Sequence, residues 1–144
     1  MWEVAIRCEG GSHLTLTLWG RSHAATDYWD GNWVRTSVEV EVGGFRGSVS
    51  GDVRTDELVR FHQQLANLQQ TLSGTAEFAT MEGWLSIRAE GDGLGHITFG
   101  CVVRDEPGVG NTLHCALATD QTFTRRTVAE LAAAIEALPV IGAP

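Results

Sequence analysis

The chain has little of several features that would define a function at once. Its 144 residues include only three cysteines and three prolines, against seventeen glycines. An odd number of cysteines favours free thiols in a reducing cytoplasm over a disulfide framework. The N-terminal segment lacks the basic region and apolar stretch of a signal peptide, and no apolar run approaches the roughly 18 residues that span a membrane. We therefore expect a cytoplasmic protein with no membrane partner.

Clustered positive charge is also missing. Ten Lys and Arg residues against 18 Asp and Glu residues give a formal net charge of -8, and no basic run occurs. Nucleic acid binding needs a cationic face that neutralises phosphates, so nucleic acid is not an expected partner. The acidic surface suits a basic protein partner, and it equally serves simple solubility.

What the chain does have is alternation of apolar and polar residues, which is the period of a strand with one buried face. The alternating segments are 4–8, 14–18, 34–42, 45–50, 85–88, 97–104 and 113–117. Their number and the abundant glycines predict an antiparallel sheet joined by tight turns.

The turns predict how these strands pair. Two central glycines in Val42-Gly43-Gly44-Phe45 favour a two-residue hairpin that places Val38 opposite Val49. A connection centred on Gly108 places Cys101 opposite Cys115. For the turn at 9–12, a three-residue loop with a bulge is expected to pair Ile6 with Leu16, because a two-residue loop would break the alternation.

Two segments have the period of a helix instead. Apolar residues recur on one face at Leu58, Phe61, Leu65, Leu68 and Leu72, and again at Val128, Leu131, Ala134, Ile135 and Leu138. Thr55 and Thr124 are the predicted N-caps. Arg125 and Arg126 lie in the first turn of the second helix, where the helix dipole disfavours cations, so they are candidates for an external acidic contact.

Strands followed by a helix occur twice, which suggests an internal duplication with halves at about 1–73 and 74–138. We predict an α+β fold, with a mainly antiparallel sheet of about eight strands in ββββα-ββββα order and two helices packed on one face. Residues 1–138 are expected to form a single domain, and residues 139–144 a loose tail.

Groups for catalysis or metal binding do not cluster. The five histidines are scattered, without the spacing of a metal site. Apolar neighbours around Cys101 and Cys115 argue against an activated thiolate. The glycine-rich segment 90–95 lacks the lysine and the following helix of a phosphate loop. We predict no catalytic residue, no metal and no cofactor.

The most distinctive segment is Asp27–Trp33, with the sequence DYWDGNW. Trp19, Trp29 and Trp33 and the only tyrosine, Tyr28, fall between positions 19 and 33. A turn-rich segment this aromatic either folds over a small private core or offers rigid anchors to a partner.

Tyr28 and Trp29, flanked by Asp27 and Asp30, favour the role of exposed anchors. Trp19 and Trp33 favour a plug at one end of the sheet, and both are retained as candidate contacts. Trp84 is expected to extend the same patch, and Glu39 and Glu41 to supply polar contacts from the open sheet face.

Several segments occur together in an order that resembles a known family. They are Asp27–Trp33, Gly44-Phe45, LSGTA at 72–76, EGWL at 82–85 and DEPG at 105–108. Over about residues 2–138 the chain resembles the WapI-type bacterial immunity proteins and their uncharacterised relatives. The resemblance implies a protein that binds and neutralises a toxin delivered by neighbouring cells, and it supplies no catalytic residues.

We therefore predict a non-enzymatic immunity-type protein that binds a cognate toxin domain, which is expected to be basic. The alternative is a homo-oligomeric interaction domain with a self-complementary open face or edge strand. A third hypothesis, a small-molecule binder or enzyme, requires a deep pocket beneath the aromatic segment.

Overall fold

The computed structural model describes residues 1–24 and 26–144, and within them it contains eight strands and three helices. The elements are β1 (Trp2–Arg7), β2 (His13–Arg21), α1 (Tyr28–Gly31), β3 (Trp33–Val42), β4 (Phe45–Arg54), α2 (Thr55–Thr71), β5 (Ser73–Ala79), β6 (Leu85–Asp92), β7 (His96–Arg104), β8 (Thr112–Asp120) and α3 (Gln121–Ala137). The α+β class and the ββββα-ββββα order are confirmed, and the single turn α1 is added between β2 and β3. No helix in the described part of the chain has the length and apolar character needed to cross a bilayer.

The strands form two antiparallel sheets of four, in the orders β1-β2-β3-β4 and β5-β6-β7-β8. Within each sheet consecutive strands pair, so β1, β4, β5 and β8 are the edge strands. The alternation of apolar and polar residues did not reveal that the strands form two sheets rather than one. Strands of both sheets have the same pattern, with one apolar face. The second sheet begins at Ser73, where the sequence predicts that the halves join.

Two of the predicted registers are confirmed. Val38 lies opposite Val49 across the β3–β4 hairpin, where Gly43 adopts a φ of 59° that the tight turn requires. Cys101 lies opposite Cys115 in the β7–β8 pair. In both hairpins the apolar side chains fall on one face of the sheet.

The predicted register of the first hairpin is wrong by two residues. Ile6 pairs with Leu14 rather than with Leu16. The loop has the predicted length, but it starts one residue earlier, because the main-chain N–H of Cys8 donates to the carbonyl of Ser12 at 3.0 Å. A shift of two residues returns every side chain to the same face, so the apolar pattern does not distinguish the two registers.

One hydrophobic core joins both sheets and the two long helices. Its buried members come from the first sheet (Leu14, Leu16, Leu18, Val34), the second sheet (Phe78, Ile87, Phe99, Leu117) and the helices (Leu58, Phe61, Leu65, Leu68, Leu131). The apolar faces of the two sheets share this core with α2 and α3. The two helices pack against each other and along the edge strands β5 and β1.

Helix α3 closes the free edge of β1. The Thr127 hydroxyl donates to the carbonyl of Ala5 at 2.6 Å, and Oε1 of Glu130 accepts from the main-chain N–H of Ala5 at 3.0 Å. Glu130 also pairs with Arg7 at 2.7 Å. Side chains of the helix therefore supply the hydrogen bonds that a further strand would make, which protects the edge from pairing with another chain.

Helix α2 does the same for β5. Oε1 of Gln64 accepts from the main-chain N–H of Glu77 at 2.9 Å. Gln64 and Glu130 are each the tenth residue of a 17-residue helix, counted from Thr55 and Gln121. Each helix thus covers the first strand of the other half, so the repeated order of elements extends to equivalent contacts.

The predicted N-caps of the two long helices are wrong. Arg54 and Asp120 occupy these positions. The Thr55 hydroxyl instead donates to the side-chain oxygen of Asn32 at 2.8 Å, and the Thr124 hydroxyl donates back to the carbonyl of Asp120 at 2.9 Å. Both threonines lie inside their helices. The Thr55 hydroxyl makes a long-range hydrogen bond, and the Thr124 hydroxyl bonds to a carbonyl four residues earlier.

Candidate protein-binding site

The aromatic segment is organised by the helical turn α1. Asp27 is its N-cap, and the carboxylate accepts from the main-chain N–H of Asp30 at 2.7 Å. The segment Asp30–Asn32 is therefore the end of this helical turn. A helix this short leaves its carbonyl groups without partners inside the helix, so they need donors from elsewhere.

A buried arginine supplies most of these donors. Arg54, only 1% exposed, donates to the carbonyls of Tyr28 at 2.8 Å and Trp29 at 2.9 Å. Its Nε donates to Oδ1 of Asp56 at 3.1 Å, which balances the buried charge. These charge-assisted hydrogen bonds satisfy the guanidinium in the interior.

The three aromatic rings of the segment surround the same guanidinium. Its central carbon lies 5.0 Å from the ring centre of Tyr28, 5.5 Å from Trp29 and 5.0 Å from Trp33. These distances fall within the range of cation–π attraction. The aromatic segment thus forms a small core around Arg54, a residue that no sequence pattern singled out.

Trp29 belongs to this core and is also available to a partner. Its ring meets Tyr28 edge-on, with ring centres 4.9 Å apart at 85°, yet the residue is 58% exposed. The Tyr28 hydroxyl donates to Asp56 at 3.1 Å, which fixes the supporting ring. Asp27 and Asp30 flank it on the surface. Trp29 is therefore an exposed aromatic side chain on a rigid base, whereas Tyr28 and Trp33 are only partly exposed.

The C-terminal segment is docked beneath the aromatic segment rather than loose. The fully buried side chain of Asn32 donates to the carbonyl of Ile141 and accepts from its main-chain N–H, both at 2.9 Å. Arg21 donates to the carbonyl of Pro139 at 2.5 Å. Paired hydrogen bonds to one buried amide hold the tail in place, and the sequence carried no signal for this long-range contact.

Trp19, Glu39 and Glu41 lie on the open face of the first sheet. Trp19 is 55% exposed beside a β-bulge between Leu18 and Gly20, and its indole N–H donates to the Ser37 hydroxyl at 3.0 Å. It is thus not a plug in the core.

Two carboxylates on this face have a nitrogen-bearing side chain nearby. His13 approaches Glu39 at 3.8 Å, and Arg46 approaches Glu41 at 3.7 Å. Both pairs are long and exposed, so each contributes little to stability and the carboxylates stay accessible.

Trp84 does not extend the exposed patch, so that expectation is wrong. Only 2% of this residue is exposed, and its indole N–H donates to the carbonyl of Asp52 at 2.9 Å. The indole ring packs so closely on Gly51 that a Cβ added there would lie 2.3 Å from it. Trp84 packs between the second sheet and β4. Its position after a turn in the sequence did not indicate that it would be buried there.

The cysteines lie in apolar surroundings. Burial raises the pKa of the Cys101 thiol, and to a lesser extent the pKa values of Cys8 and Cys115. A raised pKa disfavours the reactive thiolate. In the described part of the chain, no group of His, Cys, Asp and Glu side chains is arranged to hold a metal ion.

A shallow apolar groove of about 290 Å³ lies elsewhere, between β3–β4 and β7–β8. Val38, Val49 and Leu113 line this groove, as does Phe45, which is 70% exposed. Sequence reasoning assigned Phe45 to the buried face of β4. The alternation is correct, but the residue sits at the hairpin end, beyond the part of the sheet that the core covers.

Two solved structures have similar folds. Trypanosoma MRP1/MRP2 aligns with a TM-score of 0.52 at 14% identity, covering 94% of this chain and 83% of that chain. The plant transcriptional regulator PBF-2 aligns with a TM-score of 0.58 at 12% identity, covering 94% of this chain and 81% of that chain. At such low identity the likeness concerns the fold alone.

Sequence comparison identifies the family. No curated protein matches the chain. The model of the family described as immunity protein WapI-like matches residues 6–139, which is nearly the whole chain. The match includes the aromatic segment, both long helices and every strand except the first four residues of β1. The chain therefore belongs to the WapI-like immunity protein family.

Proposed function

We propose that this protein binds a cognate toxin domain and neutralises it without catalysis. The observation that carries the proposal is the exposed ring of Trp29, held on the buried Arg54 within a chain of the immunity family. Aromatic side chains dominate the energy of many protein interfaces when they are ordered before binding. In this proposal Trp29 is the central anchor.

The remaining contacts follow from the surface around this anchor. Asp27 and Asp30 flank Trp29, and Tyr28 and Trp33 contribute the edges of their rings. Trp19, with Glu39 and Glu41, adds a second set of contacts from the open face of the first sheet. Trp84 is left out because it is buried.

The charge of the chain supports a basic partner. A net charge of -8 attracts a cationic protein during diffusion and raises the association rate at low salt. The same charge argues against nucleic acid, so the fold likeness to a transcriptional regulator is not extended to binding of that kind. We place the neutralisation in the cytoplasm, where the three free cysteines stay reduced.

Co-expression tests the proposal. The toxin domain encoded beside the gene is induced in cells with and without this protein, and the complex is then isolated. Rescue of growth together with a stable complex is the expected result. Toxicity that persists although both proteins are produced would reject the proposal.

The variant W29A tests the anchor. We expect its affinity for the toxin to fall by about 2 kcal/mol or more, roughly 30-fold, because truncation removes a central aromatic contact. Stability should fall by only about 1 kcal/mol, since the lost contacts are one cation–π pair and one ring edge. Isothermal titration calorimetry and thermal unfolding measure the two effects.

The matched control is F45A, which removes another exposed aromatic ring at the distant β3–β4 hairpin. It should leave the affinity unchanged. A greater loss of affinity in F45A than in W29A would move the binding site to the groove between β3–β4 and β7–β8.

A further inference from the structure

The four edge strands differ in how their outer main-chain groups are covered. Helix α3 covers β1 through Thr127 and Glu130, and helix α2 covers β5 through Gln64. One end of β4 is fixed where Trp84 donates to Asp52. Within residues 1–24 and 26–144, no group outside β7 hydrogen-bonds to the main chain of 113–119 in β8.

β8, whose outer main-chain groups have no such partners, also lacks the usual side-chain protection of an edge strand. Natural edge strands carry charges, prolines or bulges that prevent pairing with another chain. β8 reads TLHCALATD, so it has no Asp, Glu, Lys, Arg or Pro before its last residue, and its ladder with β7 is regular over nine pairs. β4, by contrast, carries Arg46 and Asp52. β8 is thus the edge best suited to accept another strand.

We propose that β8 pairs antiparallel with β8 of a second copy of this chain, joining two second sheets into one continuous sheet of eight strands. A two-fold axis at Ala116 keeps the inner faces of both copies on the same side. On the open face His114 lies opposite Ala118, and on the inner face Cys115 lies opposite Leu117. Small or apolar residues therefore meet along the strand, and no like charges face each other.

The charges beyond the two ends of β8 fit the same orientation. The connection before β8 carries the exposed acids Asp105 and Glu106, and the first turns after it carry the exposed Arg125 and Arg126. Antiparallel pairing brings the start of one β8 next to the end of the other. Acids of one copy then lie near arginines of the other, which gives the two arginines an acidic partner outside their own helix.

The size of the contact sets the expected affinity. One strand pair buries less than the roughly 1,200 Å² of a standard stable interface, so we expect a dimer with a Kd of about 10 to 100 µM. This proposal does not rest on toxin binding, because it uses neither the aromatic segment nor the open face of the first sheet.

Sedimentation equilibrium from about 1 to 500 µM tests the pairing. The mass should rise from the 15.6 kDa of one chain towards twice that value. The variant A116E places like charges on the axis and should raise the Kd at least about threefold. The control T98E adds the same charge to the same face in β7, opposite Ala118 and one strand away from the edge, and should dimerise as the wild type does.

A charge swap tests the orientation. R125E/R126E should weaken the dimer, and adding E106K to that variant should restore it. A wild-type chain that stays monomeric at 500 µM would overturn the proposal, as would equal effects of A116E and T98E. A third outcome would also overturn it: the wild type is monomeric and A116E loses toxin binding. The β8 edge would then be a binding site for the toxin rather than for a second copy.

Discussion

Replacing Arg54 by alanine should be among the most damaging single substitutions in this protein. The change removes a buried cation that makes hydrogen bonds to two carbonyls and to Asp56. The carbonyl of Tyr28 keeps a second donor from Asn32, but the carbonyl of Trp29 loses the donor described for it. Three aromatic rings also lose the charge between them.

The magnitude follows from these losses. Breaking a buried ion pair costs about 3–5 kcal/mol, and a buried carbonyl without a donor costs about 1–3 kcal/mol. Asp56 keeps 21% of its side-chain exposure, which reduces the first of these values. We expect R54A to lower the free energy of unfolding by about 4 kcal/mol and Tm by about 8–16 °C. R54K keeps the charge without the planar fork and should lose about 2 kcal/mol.

Urea unfolding followed by tryptophan fluorescence measures both variants. The matched control is R60A, because Arg60 approaches the same carboxylate at 3.3 Å but is largely exposed. An exposed pair of this kind contributes at most about 0.5 kcal/mol. If R54A loses no more stability than R60A, the aromatic segment is not built around the guanidinium, and the rigid support inferred for Trp29 fails with it.

The remaining predictions concern close packing, a buried carboxylate and the docked tail. G51A should cost at least about 2 kcal/mol, because the new Cβ would lie 2.3 Å from an indole ring, whereas G47A on the same strand meets nothing within 4 Å. E57Q should cost about 1–3 kcal/mol, since an amide cannot accept from two main-chain N–H groups through two oxygens. Deleting residues 141–144 should cost about 1–2 kcal/mol, because it leaves the buried Asn32 without its Ile141 partners. Thermal and urea unfolding measure all three changes.

Each of these expectations has an outcome that would refute it. Equal stability of G51A and G47A would show that the indole can move aside. Burial raises the pKa of the Glu57 carboxyl above its ordinary value of 4.5. The contribution of this group to stability is therefore largest at low pH, and it falls as the pH rises through the raised pKa. E57Q should remove that component, and an unchanged pH profile would contradict it. A truncated chain as stable as the full chain would show that the tail contributes no stability.

The sheets and helices could be predicted from the sequence because their signals are local. The two-residue alternation, the glycine pair at 43–44 and the apolar stripe from Leu58 to Leu68 depend only on neighbouring residues. The first hairpin shows the limit of this reasoning, because a two-residue shift leaves the same side chains on the same face.

The candidate site was less predictable because long-range contacts decide which aromatic residues are buried. An acidic residue lies two positions before each of Trp84 and Trp29, yet Trp84 is buried and Trp29 is exposed. The difference lies in Gly51 and Arg54, which lie 33 and 25 positions away along the chain. The positions of the aromatic residues in the sequence revealed the cluster. Neither the periodicity nor the charge pattern identified Arg54 as the residue at its centre.

The helix of each half covers the first strand of the other half, and this affects how the chain folds during synthesis. β1 can pair with β2 early, but its outer edge is closed by Glu130, 125 residues later. At about 5–20 residues per second, a ribosome needs roughly 6–25 s to make that stretch. During this interval the nascent first sheet exposes the kind of edge on which neighbouring chains pair. The outer edge of β1 therefore stays exposed until α3 has been made and reaches it.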